Sequence, residues 1–139
     1  LEAAVVVYLR ELYYPGGFKI SEKVGFPFIR FKKNIPELKP FSKKLLYTEV
    51  GREIATIVMI FVFAFFAGET PLTKLAYFLL VFGVWDIFYY VFLKIILGWP
   101  ESLSTTDVFF LIPVPWIGPV GLPAVCSVII TVLAIAVLI

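Results

Sequence analysis

The sequence predicts an all-α protein: a polytopic transmembrane helical bundle of about four spans, with a proline-broken or re-entrant segment ahead of the last. Three observations predict it. Of 139 residues, 61% are hydrophobic and 16% charged, whereas soluble domains are usually near half apolar and a quarter charged. The run Leu75 to Leu97, apolar but for Asp86 and Lys94, can cross a hydrocarbon core of about 30 Å as a helix rising about 1.5 Å per residue, and a second span runs from near Leu46 to Ala67. The basic residues gather in one segment, 18–44, where Lys19, Lys23, Arg30, Lys32, Lys33, Lys39, Lys43 and Lys44 face only Glu22 and Glu37.

The elements follow in order. The first apolar segment runs to Tyr14, about 21 Å as a helix and too short to cross alone. The first span is therefore expected to begin upstream of Leu1, and a short tail is expected beyond Ile139. Tyr13-Tyr14-Pro15-Gly16-Gly17 supplies interfacial aromatics and a helix stop. The basic loop, about 15–45, holds Pro27, Pro36, Pro40 and Gly25, which discourage a long helix. The positive-inside rule places this loop in the cytoplasm of a multi-pass cell-membrane protein. Its Phe26, Phe28, Phe31 and Phe41 are placed to dip into the interface or pack on a neighbour.

The second span ends at Gly68, and the turn to Thr73 makes it antiparallel to a third span, Lys74 to Leu97, which stops at Gly98-Trp99-Pro100. The linker 101–107 is polar, and Ser104 or Thr105 is suited to cap a following helix. The segment of about 108–122 is apolar yet contains Pro113, Pro115 and Pro119, with Pro123 just beyond. An interior proline costs a helix about 3 kcal/mol, so one continuous helix through these positions is excluded. Non-helical backbone at membrane depth must be shielded by protein or water. A final span from Pro123 to Ile139 completes a single domain, 1–139.

Several chemistries are excluded. With no histidine, His-ligated haem, His-based zinc sites and His-dependent triads are absent. The single Cys126 has no disulfide partner within the chain and lies in an apolar stretch, where it reads as an inert thiol. A net charge of +2 gives no footprint for nucleic acid. No catalytic constellation and no metal site are visible.

Two groups of charges stand out. Arg10, Glu11, Glu49, Arg52, Glu53 and Lys94 fall at one level near the cytoplasmic side, three of each sign, and are expected to form an ion-pair knot locking three helices. Glu49 and Arg52 are neighbours at i,i+3. Deeper lie Asp86 and Glu2, intramembrane carboxylates on different helices at matched depth. An ionisable group in the bilayer interior costs at least ~2.5 kcal/mol and normally faces protein or water. Two carboxyls at one level suit proton sharing, cation binding or proton relay. The bland alternative is a protonated Asp86 bonded to Trp85, Tyr89 or Tyr90, with Gly83 admitting another helix one turn back. Gly51/Ala55 and Ala64/Gly68 give the second span small-residue spacing. The aromatic row from Tyr77 to Phe92 reads as packing and lipid contact. No cofactor is predicted, although that row has room for a bound lipid, pigment or quinone.

The stretches Gly51-Arg52-Glu53-x-Ala55-Thr56, Gly83-Val84-Trp85-Asp86-Ile87-Phe88-Tyr89-Tyr90, Gly98-Trp99-Pro100 and Leu111-Ile112-Pro113-Val114-Pro115-Trp116 resemble small multi-span prokaryotic integral membrane proteins of uncharacterised function. The resemblance implies a membrane fold and no activity. The function expected first is a structural or accessory subunit of a larger membrane complex, one of energy conversion among the candidates, partnered by lipids and by other membrane subunits or further copies of itself. An ion or proton transporter or channel element using Asp86 and Glu2 comes second. A lipid-acting intramembrane enzyme comes last, for want of a nucleophile and base.

Overall fold

The computed structural model describes residues 1–139 as four helices and a small antiparallel sheet. The order is α1 (Glu2–Tyr13), β1 (Arg30–Phe31), a 3-10 turn (Pro36–Leu38), α2 (Lys43–Ala67), α3 (Pro71–Leu97), β2 (Thr106–Phe110), β3 (Trp116–Pro119) and α4 (Gly121–Leu138). Three helices, α2, α3 and α4, are long and apolar enough to cross a membrane. The expected count was about four. The 12 residues of α1 cover about 18 Å, little more than half of a hydrocarbon core.

Local chemistry sets the helix ends. Ser42 caps α2 by accepting the Leu45 N–H at 3.2 Å. Thr70 and Thr73 form a reciprocal capping box at the start of α3 (2.9 and 3.2 Å), with Pro71 in the first turn, where its missing N–H is no loss. The connection from α2 to α3 is therefore three residues, 68–70, and the pair is antiparallel as the sequence predicts. At the other end of α3, Gly98 turns left-handed (φ +66°), and the Lys94 ammonium donates to the carbonyls of Gly98 and Pro100 at 3.2 and 2.7 Å.

Helix α3 is central, packed against α4 on one side, α2 on another and α1 near its C-terminal end. Gly83 makes the α3–α4 approach close: a Cβ there would lie 2.8 Å from the Ser127 carbonyl oxygen. This is the approach its sequence position predicted. In α2, by contrast, a Cβ on Gly51 would meet nothing within 4 Å, while Ala64 is buried. The remaining faces of α2 and α4 carry exposed Val58, Phe61, Phe66, Ile129 and Leu133, an apolar girdle of the kind that faces acyl chains.

The all-α expectation needs correction at one end. The expected broken segment of about 108–122 is non-helical only as far as residue 120, and residues 106–119 form a β-hairpin, so no helix follows the linker for Ser104 or Thr105 to cap. Pro113 and Pro115 lie in the hairpin connection, Pro119 ends β3, and Pro123 sits in the first turn of α4. Strand β3 is the centre of the sheet β1-β3-β2, pairing Val108 with Ile117 and Phe31 with Trp116. A bulge at Phe109 lets Phe110 rather than Phe109 oppose Trp116. The sheet and the basic loop together form a cap over the end where α1 and α3 finish and α2 and α4 begin. Its small core is Val24, Ile35 and Ile117; a second core, Ala3, Tyr90, Leu93, Trp99 and Val120, joins it to the bundle.

Candidate functional site

A pocket opens where the cap meets the helices. It encloses about 120 Å³ and is walled by α1 (Glu2, Arg10), α2 (Glu49, Arg52, Glu53), α3 (Trp85, Asp86, Tyr89, Tyr90) and β2 with its exit (Asp107 to Leu111). Each wall carries at least one charge into a frame that is otherwise apolar and aromatic.

The first polar cluster centres on Asp107. Its position in β2 turns it inward, leaving it 2% exposed. Arg10 Nη2 lies 3.3 Å from Oδ1, and the Tyr90 hydroxyl donates to Oδ2 at 3.2 Å. The guanidinium is held flat against Trp99 (3.7 Å to the ring centroid) and beside Phe18 at 4.8 Å. Burial raises the Asp107 carboxyl above its usual value, and the neighbouring Arg10 offsets only part of that rise.

The second cluster centres on Arg52. Its Nε and Nη2 donate to Glu49 Oε2 at 3.1 and 2.6 Å, and its Nη1 forms an ion pair with Glu2 of α1. One guanidinium thus serves two carboxylates on two helices. Glu53, one position on, turns instead to the hairpin and accepts the Leu111 N–H through both oxygens at 3.0 and 3.2 Å. That bond satisfies a backbone donor left free just beyond β2.

Asp86 is the third polar element. It is 8% exposed and accepts a 2.8 Å hydrogen bond from Ser127 of α4. It lies one helical turn beneath Tyr90 and about three turns before the end of α3 at Leu97. Neither Trp85, Tyr89 nor Tyr90 is its partner; Tyr90 belongs to Asp107.

The predicted site residues are therefore sorted differently from their expected grouping. Of the six-membered knot, only Glu49 and Arg52 bond to each other. Arg10 turns to Asp107, Glu53 to Leu111, Lys94 to the end of α3, and Glu11 is exposed. The knot is two clusters, because the intervening sheet supplies its own carboxylate. Glu2 and Asp86 share the pocket but not a bond: Glu2 pairs with Arg52 and Asp86 with Ser127. Asp107 and Ser127 are absent from the sequence-derived set. Asp107 reads there as the end of a polar linker, and Ser127 is not singled out. A lone acid opening the apolar run Val108 to Ile112 was the available signal for Asp107.

A second cavity of about 350 Å³ lies beside the first, lined by Glu11, Lys19, Leu97, Trp99 and Glu101. Arg10, Tyr14 and Phe18 border both. The Tyr14 hydroxyl is buried without a partner; burial and then the Glu37 charge raise its pKa, so it stays a donor. No group of three Asp, Glu or Cys side chains converges to hold a metal ion. Compared with models of known families, with curated proteins and with solved structures, the chain matches none.

Proposed function

We propose that this is a multi-pass membrane protein that takes up and passes protons through the pocket beneath its cap, with the basic loop in the cytoplasm. In this reading α2, α3 and α4 cross the bilayer, and α1 reaches part of the way from the capped side. One observation carries it. Five carboxylates line the pocket against two arginines, an excess of three negative charges if all are ionised. Arg10 and Arg52 serve Asp107, Glu2 and Glu49, while Glu53 and Asp86 have no cation within ion-pair distance. Two like charges about 6 Å apart repel by roughly 3 kcal/mol at an effective dielectric constant near 20. Protons relieve such an excess without the convergent geometry that a bound metal requires. The unpartnered Tyr14 hydroxyl and the two cavities meeting at Arg10 supply a polar approach from the capped side.

The test is proton flux into vesicles holding the purified chain, read with an entrapped pH dye under an imposed potential. Wild-type protein is expected to exceed empty vesicles, and Asp86→Asn and Glu53→Gln to abolish the excess while the thermal transition persists. Vesicles no leakier than empty ones, under either polarity of potential, would refute the proposal.

The accessory-subunit reading retains one observation of its own: α2 packs mainly on α3 and leaves most of its circumference bare. Native purification separates the two. A stable assembly with other chains, lost when exposed α2 positions such as Phe61 are changed, would favour it.

A further inference from the structure

The cap carries an exposed surface that the pocket does not use. Between Lys23 and Lys33 the chain buries Val24 yet leaves Phe26, Phe28 and Phe31 58%, 69% and 60% exposed. The segment is not loose. It is stitched to the sheet by the pairs Arg30–Ile117 and Phe31–Trp116 and by the Lys32 N–H donating to the Pro115 carbonyl at 3.1 Å. Its cations are only partly neutralised: Arg30 and Lys32 share the single carboxylate Glu22, and Lys23 and Lys33 have no ion-pair partner. A ladder of rings then joins this edge to the apolar surface of α3. Phe31 meets Trp116 at 5.0 Å, Trp116 meets Phe110 at 6.3 Å, Phe110 stacks on Phe82 at 6.1 Å, and Phe82 on Phe78 at 6.2 Å.

The geometry points to the β1 edge of the cap as a docking surface for the headgroups of anionic phospholipids in the leaflet that α3 enters. Phe26, Phe28 and Phe31 occupy the boundary between headgroup and acyl chain, while Lys23 and Lys33 meet lipid phosphates. Exposed rings flanked by unpaired lysines match the two requirements of an interfacial anchor, apolar area and positive charge. The ring ladder joins this edge to the aromatic face of a helix apolar enough to span. The surface is separate from the acidic pocket, so it stands whether or not protons pass there.

The test uses the full chain in nanodiscs of phosphatidylcholine, alone or mixed with phosphatidylglycerol, followed by hydrogen exchange of residues 23–33 and native mass spectrometry of retained lipid. Phosphatidylglycerol is expected to slow exchange in this segment and to be retained in preference. The double variant Lys23→Gln/Lys33→Gln should lower that preference at least about five-fold, the equivalent of about 1 kcal/mol for one cation at an anionic surface. Phe28→Ser should restore fast exchange. Lys74→Gln, at the opposite end of α3, should change neither reading. Equal retention of both lipids overturns the inference. So does an equal loss in Lys74→Gln, or protection that follows protein concentration rather than lipid charge, which would make the edge a protein interface.

Discussion

Replacing Arg10 by Met removes the only cation beside Asp107 while keeping most of the side-chain volume against Trp99. The magnitude follows from the geometry. The Arg10 and Asp107 side chains are 10% and 3% exposed, and stripping one partner from such a buried pair costs about 3–5 kcal/mol. Loss of the 3.7 Å stacking on Trp99 adds about 0.5–2 kcal/mol. Proton uptake works the other way. Burial already raises the Asp107 carboxyl, and without Arg10 it rises further, so the orphaned charge is relieved at about 1.4 kcal/mol per pH unit. A net loss near 3 kcal/mol, or roughly 10 °C in the thermal midpoint of a chain this size, is expected at neutral pH. The sign of the pH dependence is fixed. A carboxyl whose folded pKa is raised stabilises the fold below its unfolded value of 3.8, and that contribution is lost as pH rises through the folded pKa. The deficit of Arg10→Met should therefore be largest at neutral pH and shrink towards about pH 5. Adding Asp107→Asn, which keeps an acceptor for Tyr90, should recover most of the stability and remove the pH dependence. Thermal melting of the purified protein in detergent, followed by size-exclusion fluorescence, measures all three. A single variant no less stable than exposed Lys39→Met, or a double variant worse than Arg10→Met, would refute the pairing.

Gly83→Ala should lower the melting midpoint by the equivalent of about 1–3 kcal/mol, because the new methyl meets the Ser127 carbonyl and α4 must move; an unchanged midpoint would mean the helices are not in close approach. Glu53→Ala strands the Leu111 N–H and should cost about 1–3 kcal/mol, whereas Glu53→Gln keeps an acceptor and should cost less. Hydrogen exchange at Leu111 reads the difference directly. In the cap, hydrogen bonds from Lys32 and Arg30 hold Glu22 below its ordinary value, and Ser21 does the same for Glu37. Both contributions are complete above that value of 4.5 and disappear as pH falls through the lowered pKa values. Relative to the intrinsic amide rate, which itself slows in acid, protection of residues 19–39 should fall on acidification, while that of α3 is unchanged.

How much was legible depended on the range of the interaction. The long helices follow from composition and run length, and the end of α3 from Gly98-Trp99-Pro100; its start lies at Pro71 rather than Lys74, because Thr70 and Thr73 cap it three residues earlier. The prolines at 113, 115 and 119 forbade helix, which is a negative statement. That the forbidden stretch becomes a hairpin, with β3 as the central strand, depends on β1, a two-residue edge too short to leave a periodic trace.

The site divides along the same line. Glu49 and Arg52 were readable because three residues of helix put them on one face. Arg10 and Asp107 are 97 positions apart, and nothing local in either segment names the other. Matching charges by depth along the spans grouped Arg10 with its helical neighbours because it assumed that every acid at that level comes from a helix. The hairpin breaks the assumption by bringing Asp107 to the end of α1 and Leu111 to Glu53. Asp86 is buried, and its bond from Ser127 depends on Gly83 admitting α4 at that turn. Depth alone thus locates a buried charge; its partner follows only once the packing of the next element is known.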